Sequence, residues 1–133
     1  MTFRYDNRVA IVTGAGNGLG RSHALGLAAR GAKVVVNDLG GAVDGSGSHL
    51  STAETVVEEI RAAGGEAIAN GANVTQADEV EAMVQSAIDK WGRVDILVNN
   101  AGILRDKSFS KMSLDDFRLV LDVHLMGAAI CSK

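Results

Sequence analysis

The sequence predicts an α/β domain built on a doubly wound parallel sheet, and three observations point to it. Short apolar runs alternate with stretches of helical period. A glycine-studded turn, TGAGNGLG at residues 13–20, joins the first run to the first helical stretch. The second run ends in polar residues, Asn37 and Asp38. Alternating strands and helices favour a parallel sheet, because each crossover helix returns the chain to the edge it left.

Val9, Ala10, Ile11 and Val12 form an unbroken apolar run, suited to a central strand buried on both faces. In the turn that follows, Gly14, Gly18 and Gly20 allow backbone angles and close approaches that a Cβ would block. Asn17 and Leu19 share that turn. The unpaired N–H groups and dipole at the start of the next helix favour an anion, so the turn reads as a pyrophosphate cradle in a dinucleotide-binding βαβ unit of Rossmann type. Ala24, Leu25, Leu27 and Ala28 supply that helix with an apolar face, and Gly31 marks its stop. Val34, Val35 and Val36 form the second strand, whose carboxyl end delivers Asp38 at the distance along the chain where an acidic residue meets the adenosine ribose.

The stretch LGGAVDGSGSHL, residues 39–50, is long for a strand-to-helix connection. It reads either as a flexible excursion or as a lid beside the adenosine pocket, with His49 a solvated residue before it is a phosphate contact. Ser51 and Glu54 make a capping box for a helix whose Ala53, Val56, Val57 and Ile60 recur at helical spacing, until Gly64 and Gly65 end it. A third strand is expected at residues 66–69, followed by Asn73 and Val74. A helix capped by Thr75 then runs to Trp91 and stops at Gly92. Residues 94–98 are the fourth strand, with Asn99 and Asn100 at its carboxyl edge, where open α/β sheets bind ligands. Ser113 and Asp116 open a last helix with Leu114, Phe117, Leu121, Leu125 and Ala128 along one face.

The 133 residues suffice for one domain, residues 1–133. A hydrophobic content of 47% and a mean hydropathy of +0.13 suit a buried sheet. A net charge of −3 and a pI near 5.5 leave no basic footprint for nucleic acid. The single cysteine, Cys131, cannot form an internal disulfide, and the polar start MTFRYDNR lacks the apolar core of a signal peptide. No apolar run approaches the roughly 20 residues that span a bilayer, and the ending ICSK is not a peroxisomal address. A soluble protein of a reducing compartment, the cytoplasm, is expected, without a membrane or nucleic-acid partner. No metal site is expected.

The glycine spacing of the turn, Thr13 before it, and NNAG at residues 99–102 together resemble the short-chain dehydrogenase/reductase family. NDLGG at residues 37–41, VVEEI with its GG stop, and NNAGILRDKSF are similar to one branch of it. That branch comprises the (3R)-hydroxyacyl-CoA dehydrogenase modules of peroxisomal multifunctional enzyme type 2, also called 17β-hydroxysteroid dehydrogenase type 4, and their bacterial relatives. The resemblance implies the N-terminal half of the doubly wound sheet, with strand order 3-2-1-4. It also implies NAD as cofactor and oxidation of a secondary alcohol, in a 3-hydroxyacyl-CoA or a hydroxysteroid, to a ketone. Asn73 and Val74 would meet the adenine, and Asn100, Ala101 and Gly102 the ribose side of the cofactor. Asn99 would be structural, and the complete enzyme would be a homo-oligomer.

Two departures from the family pattern stand out. His124, in DVHLMG, replaces the Asn that in most of the family helps hold a proton-relay water, so it is either a relay candidate or a plain helix histidine. The family's catalytic Ser and Tyr-x-x-x-Lys have no counterpart in residues 1–133, whose one tyrosine, Tyr5, precedes the first strand. No catalytic residue is therefore assigned, and the 133 residues alone are expected to be inactive, the N-terminal part of a larger dehydrogenase. The alternative is a stand-alone, non-catalytic dinucleotide-binding or regulatory module.

Overall fold

Four consecutive apolar residues have no polar face to offer water, and the structure buries all of them as β1 (Val9–Val12) in the middle of the sheet. The structure, a computed structural model, describes residues 3–40 and 51–133. β1 pairs in parallel with β2 (Lys33–Asn37) on one side and with β4 (Ile96–Val98) on the other. β3 (Ala67–Asn70) lies outside β2, giving the expected order β3-β2-β1-β4. The register sets Ala10 opposite Val34 and Ile96, and Asn37 opposite Asn70 at the carboxyl ends.

Strand alternation sends successive side chains to opposite faces. Ala10, Val12, Val34 and Val36 pack under α1 (Gly18–Ala29) and α2 (Ser51–Ala62), against Ala24, Val56 and Ile60. Val9, Ile11 and Val35 pack on the other face under α3 (Ala77–Trp91), against Val80, Met83 and Ala87. Arg21 pairs with Glu59 and ties α1 to α2. The glycines expected to stop the first three helices lie just past each, Gly31, Gly64 and Gly92 all with positive φ.

Several boundaries differ from expectation. β3 begins at Ala67, one residue later than expected, and β4 is only Ile96–Val98. At the entry to β4 the Asp95 side chain accepts a hydrogen bond from the Val9 N–H at 2.9 Å, while the Asp95 N–H donates to the Val9 carbonyl at 2.8 Å. A carboxylate thus stands where a strand carbonyl would, and regular pairing starts after it. Thr75 is not the cap of α3. Its N–H and hydroxyl both turn back to Asn73 Oδ1, at 2.9 and 2.7 Å, and Gln76 precedes the helix.

Ser113 does cap the last helical stretch, its hydroxyl accepting from the Asp116 N–H at 3.1 Å. That stretch is not one helix, however. It runs as α4 (Leu114–Leu121), a π turn over Asp122–Met126 and α5 (Gly127–Ser132), with Gly127 N–H donating to the Asp122 carbonyl. The added residue of a π turn breaks the 3.6-residue phase on which the expected stripe depended. Leu114 and Leu125 are 64% and 63% exposed, and no described element covers Phe117 or Leu121 fully. Residues 41–50, including His49, and the side chain of Ser51 lie outside the described residues, so the lid and capping-box readings do too.

Asp95 also ties the base of the sheet together. Arg93 at 2.7 Å and the Val9 N–H hold its carboxyl below the ordinary carboxylate value, with Arg8 adding a weaker pull at 3.7 Å. A depressed folded-state pKa means the stabilisation is complete above the unfolded value of about 4 and fades as pH falls through the lower folded value. Urea midpoints measured from neutral pH down to about pH 2 should show an acid-side decline that Asp95→Asn makes shallower. Identical slopes in the two proteins would remove Asp95 from the account.

Candidate functional site

Parallel strands present all their carboxyl ends along one edge, and the chain passes from β1 to β2 on one side but crosses after β3 to β4 on the other, the reversal of strand order at which such sheets open a crevice. A cavity of about 190 Å³ lies along that edge. Of the residues expected from sequence, Gly14, Asp38, Asn73, Val74, Ala101 and Gly102 line it. Asn37, Leu39, Ala72, Ile103 and Val123 complete its wall.

The remaining expected residues sit around it. Asn17 immediately precedes α1 in extended conformation, its side chain making no cap, and Gly18, Leu19 and Gly20 form the first turn. No acidic side chain occupies that turn, so its N–H groups stay available to an anion. Gly18 has φ +56°, and a Cβ there would meet nothing within 4 Å. Gly20 is the opposite case, because a Cβ would overlap the Gly14 carbonyl oxygen and the Asn100 side-chain nitrogen. Leu19 points its side chain into solvent.

Asn100 does not line the cavity. Its Nδ2 donates to the carbonyls of Thr13 and Gly14, at 3.1 and 3.0 Å, which commits both amide hydrogens. Buried Thr13 completes this brace, its Oγ1 accepting from the N–H groups of Asn100 and Ala101 at 3.1 and 3.0 Å and donating to the Val98 carbonyl at 3.3 Å. The glycine turn after β1 and the segment after β4 are therefore held as one body. Asn99 turns away and donates to Ser132 Oγ at 3.1 Å, joining the end of β4 to α5.

The Asp38 carboxylate is fixed at both oxygens. Oδ2 accepts from the Gly16 N–H at 2.9 Å and Oδ1 from the Gly40 N–H at 2.8 Å, which leaves further lone pairs on each for hydroxyl donors. No lysine or arginine lines the cavity among the described residues. Asn73 offers less than its side chain suggests, since its Oδ1 already takes two hydrogen bonds from Thr75.

His124 reaches the back of the cleft wall and not the cavity. From the π turn its Nε2 lies 3.0 Å from the Ile103 nitrogen and 2.9 Å from the Ile103 oxygen, accepting from one or donating to the other according to tautomer. Either bond anchors the Gly102–Ile103 wall to the helix. Asn37, Ala72, Ile103 and Val123 were not expected in the cavity wall, and Thr13 was expected only as part of the glycine turn. Thr13 and Asn37 had a legible signal, a polar residue closing an apolar strand, whereas Ile103 and Val123 look like any core residue.

Residues 8–133 match the family model described as short chain dehydrogenase. The chain is 58% identical over 130 residues to peroxisomal multifunctional enzyme type 2 of Drosophila melanogaster, covering 98% of this chain and 21% of that protein. A crystal structure of a short chain dehydrogenase from Mycobacterium avium superposes with a TM-score of 0.87 at 52% identity, over 95% of this chain and 44% of that one. A 7α-hydroxysteroid dehydrogenase complexed with NADH and 7-oxo glycochenodeoxycholic acid superposes with a TM-score of 0.85 at 39% identity, over 97% and 47%. The chain thus spans about a fifth of the fly enzyme and under half of either solved chain.

Proposed function

Because this chain belongs to the short-chain dehydrogenase family, we propose that residues 1–133 are the NAD-binding part of an oxidoreductase that converts a secondary alcohol to a ketone. The substrate proposed is a 3-hydroxyacyl-CoA, as the sequence resemblance implies, or a hydroxysteroid, the class named for one of the solved relatives. One observation supports this above the others: a single cleft brings together Gly14 of the glycine turn, the fixed Asp38 carboxylate and the segments that follow β3 and β4.

The residues fit a dinucleotide. The first-turn N–H groups of α1 would take the pyrophosphate, in the open space in front of Gly18. The free lone pairs of Asp38 would accept from the adenosine ribose hydroxyls. Asn73 and Val74 would edge the adenine, while Ala101 and Gly102, steadied by Asn100 and Thr13, would edge the second ribose. When bound, NAD supplies the hydride acceptor. Ile103 and Val123 would keep that end of the cleft dry, and His124 would hold Ile103 in place. A general base must also take the hydroxyl proton of the alcohol, and the described cleft offers none.

The exposed apolar side chains of Leu114, Phe117, Leu121 and Leu125 suit a homo-oligomeric contact. No described helix is long and apolar enough to cross a membrane. The lone cysteine favours a reducing compartment, proposed as cytoplasmic. The fly relative is by name peroxisomal, and cell fractionation decides between the two.

Asp38 makes the cofactor choice testable by calorimetry. Its carboxylate suits the ribose diol and would repel a 2′-phosphate, with no basic side chain in the cavity wall to offset it. NAD should bind about 10- to 100-fold more tightly than NADP. Asp38→Ala should shrink that gap to a few-fold by weakening NAD binding. Equal or tighter NADP binding by the unaltered chain would overturn the reading.

A further inference from the structure

Asn37 closes an otherwise apolar strand, and its burial is nearly complete, at 1% exposed, while it still lines the cleft. Its Nδ2 donates to Asn70 Oδ1 at 3.1 Å and to the Ala72 carbonyl at 3.0 Å. Asn70 Oδ1 is identified as the oxygen because it also accepts from the Ala72 N–H at 2.8 Å. Turning the Asn37 amide over would set its oxygen against two acceptors, so one orientation is fixed. Both hydrogens are thereby spent, and the side chain faces any ligand as an acceptor only.

Among the described residues no hydrogen bond to Asn37 Oδ1 is found, and with both amide hydrogens spent this oxygen is the polar atom that Asn37 can offer the cleft. It lies in the cavity wall beside Asp38 and Ala72, the corner assigned above to the adenosine end. Asn73, the other amide there, has its Oδ1 occupied by Thr75. We propose that Asn37 Oδ1 accepts a hydrogen bond from the exocyclic amine of an adenine-type base, which makes Asn37 a specificity residue of the cleft. This rests on the dinucleotide reading of the site. A 6-oxo purine would present oxygen to oxygen and lose this hydrogen bond.

The test is calorimetric titration of the chain with NAD and with nicotinamide hypoxanthine dinucleotide, which carries a 6-oxo group in place of that amine and a hydrogen on the adjacent ring nitrogen. NAD should bind about tenfold more tightly, the consequence of losing one hydrogen bond and setting two acceptors face to face. Asn37→Leu should bring the two affinities within about threefold, whereas Asn73→Ala should keep the preference. A merely structural Asn37 would weaken both ligands alike and leave their ratio unchanged. Asn37→Ser, which keeps a donor for the Ala72 carbonyl, carries the same expectation if the leucine variant fails to fold. Equal affinities in the unaltered chain, a ratio unmoved by both Asn37 variants, or a preference lost only in Asn73→Ala would each overturn the inference. Binding of neither dinucleotide would remove the NAD reading itself, and this inference with it.

Discussion

Gly18→Val is expected to abolish dinucleotide binding while leaving most of the helix content in place. Gly18 opens α1 with φ +56°, where a β-branched residue is strained by about 1–3 kcal/mol. That strain alone would weaken the turn without emptying it. The larger effect comes from position, because a Cβ at Gly18 would meet no atom of the described residues within 4 Å, so the new side chain has open space in which to project where the pyrophosphate is proposed. Each lost hydrogen bond to a charged oxygen is worth about 1.5–3 kcal/mol, or about 10- to 100-fold in affinity, and the cradle offers several. Far-UV circular dichroism beside a fluorescence titration with NADH measures both sides of the expectation. Gly26→Ala is the control, since Gly26 lies within α1 with open space around it and no positive φ. Retained affinity in Gly18→Val would mean that the ligand does not sit on this turn.

Residues 1–133 by themselves should produce no NADH from NAD with a hydroxyacyl-CoA or a hydroxysteroid. Loss of a general base typically costs about 10²- to 10⁴-fold. The sole tyrosine, Tyr5, packs at the far end of the sheet, its N–H donating to the Arg30 carbonyl past the end of α1. Groups that would orient the alcohol against the nicotinamide are likewise missing from the described cleft, and orientation accounts for a comparable share of such rates. Following absorbance with chain of verified mass, and again after adding the carboxyl-terminal half of a close relative, gives a direct comparison. Turnover by the 133 residues alone would refute the assignment and send the search for a base to His124, the titratable side chain bonded to the cleft wall.

Much of this architecture was legible because it depends on local pattern. VAIV can only be a strand buried on both faces, GAGNGLG can only turn tightly into a helix, and Gly31, Gly64 and Gly92 stop helices where a left-handed residue is needed. From these the position of the glycine turn and the delivery of Asp38 to the carboxyl edge followed, while the strand order came with the family resemblance. Local pattern misled where a side chain had distant partners. Thr75 has the chemistry of a cap, but Asn73 holds it, and the apolar period of residues 114–128 cannot announce a π turn.

What only the tertiary structure decided is which polar groups remain free. Asn100 reads as a cofactor ligand in the sequence, yet its hydrogens belong to Thr13 and Gly14. Asn73 reads as a contact for adenine, yet its oxygen is taken, and Asn37, which the sequence shows only as a polar strand end, keeps an acceptor at the cleft wall. Residue type sets how many hydrogen bonds a side chain can make. Which of them the chain itself consumes depends on partners brought close by folding, such as Asn37 and Ala72, far apart along the sequence and 3.0 Å apart in space.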